Sequence, residues 1–241
     1  MLSSHLALPR EGHLNQVLHI FAYLCKHHNA SLVFDPTEWD VPEGHFPTQD
    51  WSFSIYGCEG LKEEIPEDMP TPLGKNMRIR VFVDSDHAGD EVTRRSRTGF
   101  IVFLNNAPIY WHSKKQTSCE TSTYGSEFIA MKQACEYVRG LRYKLRMMGL
   151  RVDEPAYIYG DNQSVLANSG NTGATLKKKT SAIAYHFVRE GCVRDEWRTD
   201  YINTHDNVAD LFTKPLPNND KRWKFISMIL AYVAPHQYYK D

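Results

Sequence analysis

Apolar residues recur at helical spacing between Leu14 and His28. Leu14, Val17, Leu18, Phe21 and Leu24 form one stripe, which predicts an amphipathic helix that packs on something. The pattern then breaks. Pro36, Pro42, Pro47, Pro66, Pro70 and Pro72 interrupt residues 34–76, which show no period and read as a linker or wrapping loop. From Met77 the period shortens. "RIRVFVD" predicts a strand ending on Asp84, with Asp86 and Asp90 close behind. "GFIVFLNNAPIYWHS" predicts two more strands around Asn105, Asn106, Ala107 and Pro108. A long helix is predicted over Tyr124–Met148, where Phe128, Met131, Cys135, Val138, Leu141, Leu145 and Met148 share a stripe. "AYIYGD" predicts a fourth strand, ending on Asp161. "QSVLANS" and "SAIAYHFVREGCV" predict helices, "WRTDYIN" a fifth strand, and "NVADLFTK" a short helix that "PLPNND" ends.

Three strands in a meander, a helix, a strand, helices, a strand and a helix describe an α/β domain. The expected sheet is mixed and five-stranded, three antiparallel strands then two parallel, flanked by helices. Ligands gather near the carboxyl ends of the parallel strands in such sheets.

Composition changes this picture little, but charge does. No apolar run in the 241 residues approaches a membrane span, and the N-terminus lacks a signal layout. Five dispersed cysteines without a CxxC pair suit reduced thiols in an intracellular protein. The net charge is −1, yet residues 34–69 hold ten acids and one base. That segment carries −9, which leaves +8 for the remainder. The bases cluster in "TRRSR" (Arg94, Arg95, Arg97), "SKK" (Lys114, Lys115), "RGLRYKLR" (Arg139–Arg146) and "KKK" (Lys177, Lys178, Lys179). Each cluster is either a phosphate-binding surface or a solvated face.

Four acids stand at structurally pointed places. Asp84 and Asp161 end predicted strands, Glu127 is placed in the first turn of the long helix, and Asp210 begins the last short helix. Each has an innocent reading: an Asx turn after a strand, or an acid favouring a helix dipole. Gathered on one edge they would repel one another unless a cation lay between them. Hard divalent ions take such oxygen ligands, and two of them about 4 Å apart can drive phosphodiester cleavage.

"VDSDHAGD", "RRSRTGFIVFLNNAPIYWHSKKQ", "TSTYGSEFIA", "YGDNQSV", "AYHFVREG" and "NVADLFTKPLP" resemble, in order, the ribonuclease H domain of copia-type LTR retrotransposon polyproteins. The N-terminal "SSHLALPREGHLNQVLHIFAYL" resembles the end of the reverse transcriptase of such polyproteins. The resemblance implies a division into a reverse transcriptase tail (1–33), an acidic linker (34–76), an RNase H-like domain (77–217) and a C-terminal helix and tail (218–241). It implies an RNase H-like fold and two Mg²⁺ ions, replaceable by Mn²⁺, held by Asp84, Glu127, Asp161 and Asp210. Asp84 would bridge both ions. The implied reaction cleaves the RNA strand of an RNA–DNA hybrid during reverse transcription, beside the polymerase domain of the same polyprotein. The implied location is cytoplasmic, in a virus-like particle, or nuclear, with no membrane association.

Ser122 and Thr123 are candidates for sugar and phosphate contacts, or else helix caps. His205 is a candidate proton shuttle, as a histidine near the last acid in such enzymes. Two rivals stand beside the ribonuclease. An integrase or transposase would carry its last acid as a late glutamate, whereas here Glu127 comes second and Asp210 last. A catalytically inactive or domesticated nucleic-acid-binding module would bind hybrid without cutting it.

Overall fold

The computed structural model describes residues 2, 6–52, 54–56, 61–174 and 182–232. In chain order its elements begin with α1 (Glu11–Lys26), β1 (Ala30–Leu32), β2 (Leu73–Asn76), β3 (Ile79–Asp86), β4 (Arg97–Leu104) and β5 (Ala107–Lys115). They continue with α2 (Thr123–Met147), β6 (Leu150–Arg151), β7 (Ala156–Gly160), α3 (Gln163–Gly170) and α4 (Ala182–Val193). β8 (Trp197–Tyr201), α5 (Asp210–Thr213), α6 (Asp220–Ile229) and β9 (Leu230–Tyr232) complete the order.

Two compact units form. The smaller comprises Met1–Val33 and Ile226–Asp241, in which β1 pairs antiparallel with β9. Its helix α1 appears where the apolar stripe predicts one. The expected packing of that stripe does not: Leu14, Leu18, Phe21 and Leu24 are exposed, and α1 buries no residue.

The larger unit, Phe34–Phe225, carries the sheet in the order β5-β4-β3-β7-β8. β3, β4 and β5 pair antiparallel, while β7 joins β3 and β8 joins β7 in parallel. This is the mixed α/β sheet expected from the sequence, and its strand order is that of an RNase H-like fold. β3 runs two residues past Asp84, so Asp84 lies within the strand rather than at its end.

Strand alternation divides β3 between two layers. Ile79, Val81 and Val83, with Ile158 of β7, join Phe128, Met131, Ala134, Cys135 and Val138 of α2 in the main core. Tyr185 and Val188 of α4 and Trp197 of β8 extend it. The opposite face presents Arg80 and Phe82 beside Tyr157 and Tyr159. There the Pro-rich stretch wraps the sheet. Phe46 sets its ring 5.0 Å from Tyr157 and 4.7 Å from Tyr159, and Trp39 lies 5.5 Å from Tyr157. Arg80 is sandwiched with its guanidinium 4.9 Å from the Trp39 and Phe103 ring centres. Burial pulls its pKa down to about 10, so it stays charged at neutral pH within an aromatic cage. The Asp200 carboxylate accepts from Phe46 N at 2.9 Å and pairs with His45 at 2.8 Å, which ties the strap to β8.

Candidate active site

Asp84 is delivered by the central strand. Its cross-strand partner on β4 is Gly99, and on the other side β7 runs parallel with Phe82 opposite Tyr159. Two residues further along, the same register brings Asp161, just past β7, level with Asp84. The main-core layer aims the third acid, because Phe128 and Met131 of α2 are pinned in the core and Glu127 then turns toward the strand ends. One carboxylate oxygen from each of Asp84, Glu127 and Asp161 lies within 4.8 Å of the others. Glu127 stands in the second turn of α2, whose N-cap is Ser122. The helix-dipole account offered for a first-turn acid therefore does not hold, and the position of Glu127 is set by tertiary packing.

Asp210 arrives from the opposite layer. Asn207 Nδ2 donates to the Val83 carbonyl at 2.9 Å, and Ala209 N donates to Asn207 Oδ1 at 3.2 Å. This pins the loop before α5 against β3. From α5, Thr213 donates its hydroxyl to Asp84 Oδ2. Asp210 and Asp84 are both fully buried. Lys214 Nζ lies 2.6 Å from Asp210 Oδ1 and 3.7 Å from Asp84 Oδ2, and Lys221 pairs with Asp210 Oδ2. Thr204 Oγ1 donates to Asp161 Oδ2 at 2.9 Å.

Burial pushes the Asp84 carboxyl up to about 7. Lys214 and the Thr213 hydroxyl oppose that rise, while Asp210 and Asp161 add to it. Glu127 is raised well above the ordinary carboxylate range, first by burial and then by the charges of Asp84 and Asp161. Carboxylates held this close in a partly dry site gain most from a shared cation. The donors are hard oxygens, which suit Mg²⁺ or Mn²⁺ rather than a thiolate-seeking ion. The residues present therefore fit a divalent metal.

No family model matches the chain. It is 32% identical over 143 residues to the retrovirus-related Pol polyprotein from transposon RE1 of Arabidopsis thaliana, a match covering 59% of this chain and 10% of that one. It is 31% identical over 173 residues to the corresponding polyprotein from transposon RE2 of the same plant, covering 71% of this chain and 12% of that one. The chain is a relative of part of these transposon Pol polyproteins. It spans about a tenth of the length of these Pol relatives. Among solved structures, it is similar to RNase H1 from Halobacterium salinarum NRC-1, at 14% identity and TM-score 0.45, over 56% of this chain and 94% of that one.

In this Pol relative the other residues singled out from sequence fall in different places. His205 is exposed, on the loop between β8 and α5, with its backbone N donating to Asn203 Oδ1 at 2.9 Å. Ser122 caps α2, its hydroxyl accepting from Gly125 N at 3.2 Å, and Thr123 is the first helical residue. Arg94 and Arg95 lie exposed in the turn before β4, whereas Arg97 opens that strand opposite Lys115. Lys114 is exposed on β5, and Lys115 pairs with Asp90. Lys177, Lys178 and Lys179 lie outside the described residues. The "RGLRYKLR" cluster is not a free basic face. Arg142 and Arg146 are buried, and both hold the Glu63 carboxylate in bidentate pairs at 2.5–2.8 Å. Sequence reasoning missed Thr213, Lys214 and Lys221 as neighbours of the acids. The i,i+4 spacing of Asp210 and Lys214 was the one local signal available.

Proposed function

We propose that this domain is a divalent-metal-dependent endoribonuclease that cleaves the RNA strand of RNA–DNA hybrids during retrotransposon reverse transcription. The observation that carries the proposal is the convergence of Asp84, Glu127 and Asp161 within 4.8 Å, from β3, α2 and the end of β7, with Asp210 beside Asp84. Asp84, Glu127 and Asp161 would hold one Mg²⁺, and Asp84 with Asp210 the second. Such ions, when bound, supply activation of water and stabilisation of the leaving oxygen.

The chain's own residues do the remaining work. Thr213 orients Asp84 and Thr204 orients Asp161, so the two carboxylates keep their aim as charge on the site changes. Arg94, Arg95, Arg97, Lys114 and Lys115 supply phosphate contacts along the β4–β5 side. Ser122 and Thr123 stand ahead of Glu127, where short polar groups can read the 2′-hydroxyl that separates RNA from DNA. His205, exposed on its loop, is free to carry a proton to the departing 3′-oxygen. The products are 5′-phosphate and 3′-hydroxyl ends. The polymerase domain of the same polyprotein is the expected partner, and the expected setting is inside the cell.

The test is cleavage of a labelled hybrid across a range of Mg²⁺ and Mn²⁺. Wild type should cut the RNA strand, and Asp84→Asn should lose at least about 100-fold of that rate while still binding hybrid. Equal inertness of both proteins, with binding intact, would sink the enzyme reading in favour of a binding module. Joining of DNA ends would favour an integrase.

A further inference from the structure

The two sides of Asp84 are built differently. Toward Glu127 and Asp161, three carboxylates converge, and among the described residues neither Glu127 nor Asp161 forms an ion pair. Toward Asp210, the site already contains positive charge. The Lys214 ammonium lies 2.6 Å from Asp210 Oδ1 and 3.7 Å from Asp84 Oδ2. Lys221 takes the other oxygen of Asp210. The Lys214 side chain is 37% exposed, so its head can leave the carboxylates for solvent without unpacking the core.

We propose that Lys214 is the resident counter-ion of the Asp84–Asp210 pair and competes with a divalent ion for those two carboxylates. This rests on the metal-site reading above. Two like charges a few ångströms apart repel, so an ion on the Asp210 side binds only as Lys214 swings away. The Asp84–Glu127–Asp161 side meets Lys214 only at the longer 3.7 Å approach to Asp84 Oδ2, so it binds with less displacement. The two ions therefore bind unequally, and Lys214 acts as a positioning residue that sets the order of filling. With the second ion in place, the displaced ammonium stands at the rim of the site, within reach of substrate phosphate.

The test is Mn²⁺ binding to the full chain, measured by calorimetry and by the EPR signal of free Mn²⁺ at constant ionic strength. Wild type should show one tight and one weak site. Lys214→Met and Lys214→Gln should each tighten the weak site by about tenfold or more and leave the tight site within about threefold. Lys214→Arg, which keeps the charge, should behave as wild type. Thermal melting in EDTA checks that each variant is folded, and two neutral variants guard against the failure of one. An unchanged weak site in both neutral variants overturns the role of Lys214 alone, as does equal tightening by Lys214→Arg. Absence of Mn²⁺ binding in all four proteins overturns the metal-site reading itself.

Discussion

Glu63 resolves a charge pattern that looked like two separate surfaces. The sequence sets an acidic stretch apart from a basic helix, and nothing local says that they meet. In the structure one carboxylate joins Arg142 and Arg146, and their remaining N–H groups reach the Glu154 and Val152 carbonyls. Burial of Glu63 opposes its charge, but the two arginines prevail and hold its pKa down at about 2. A carboxyl depressed below its ordinary value stabilises the fold above the ordinary range and loses that contribution as pH falls toward the folded value. Wild type should therefore lose stability between about pH 4.5 and pH 2 through this group. Glu63→Gln should cost about 3 kcal/mol near neutral pH, since it strands two buried guanidinium groups. It should also flatten the acid limb, and urea midpoints across that pH range would check both. Asp161 and Asp210 were legible because a strand end and a helix start mark them, whereas Asp84 lies inside its strand and Glu127 in the second turn of α2. The lysine and threonine neighbours of the acids were not legible, because those contacts are fixed by how α5 docks on β3.

At the level of elements, the meander, the long helix and the parallel strands follow from period and turn residues. The short pairs β1–β9 and β2–β6 do not, because two to four residues carry too little pattern. The aromatic strap was hidden for another reason. Prolines mark residues 34–76 as irregular, but only the layer opposite α2 reveals that Trp39 and Phe46 are core. Phe46→Ala should cost about 3–5 kcal/mol, read as a fall in the denaturant midpoint without a change in slope. Gly99 tests the docking of α5. A Cβ there would meet Thr213 Cγ2 at 2.5 Å and Phe212 Cβ at 3.0 Å. Gly99→Ala should therefore lift α5 away from Asp84 and lower hybrid cleavage by about tenfold or more, with a smaller effect on melting than Phe46→Ala. Unimpaired cleavage in that variant would mean that α5 need not seat closely on β4.

Across the whole molecule, a net charge of −1 conceals an acidic segment whose neutralising work is internal. Glu38, Glu63 and Glu64 pair with Arg78, Arg142, Arg146 and Arg194 of the larger unit. Among the described residues, the basic side chains proposed for nucleic acid are Arg94, Arg95, Arg97, Lys114 and Lys115 on the β4 and β5 side. Hybrid affinity should fall steeply and linearly in a plot of log affinity against log salt. Lys114→Ala or Arg95→Ala should each reduce the slope by about one, and Lys115→Ala by less, since Asp90 already claims that charge. A flat salt response would count against phosphate binding here. The strap has a further consequence for biosynthesis. Phe46 meets Asp200 across 154 residues of chain. Trp39 and Phe46 thus leave the ribosome long before β7 and β8 exist to receive them. The nascent domain must shelter two aromatic side chains until its last strands are made, and a chaperone that holds apolar segments would find its target in the first third of the chain.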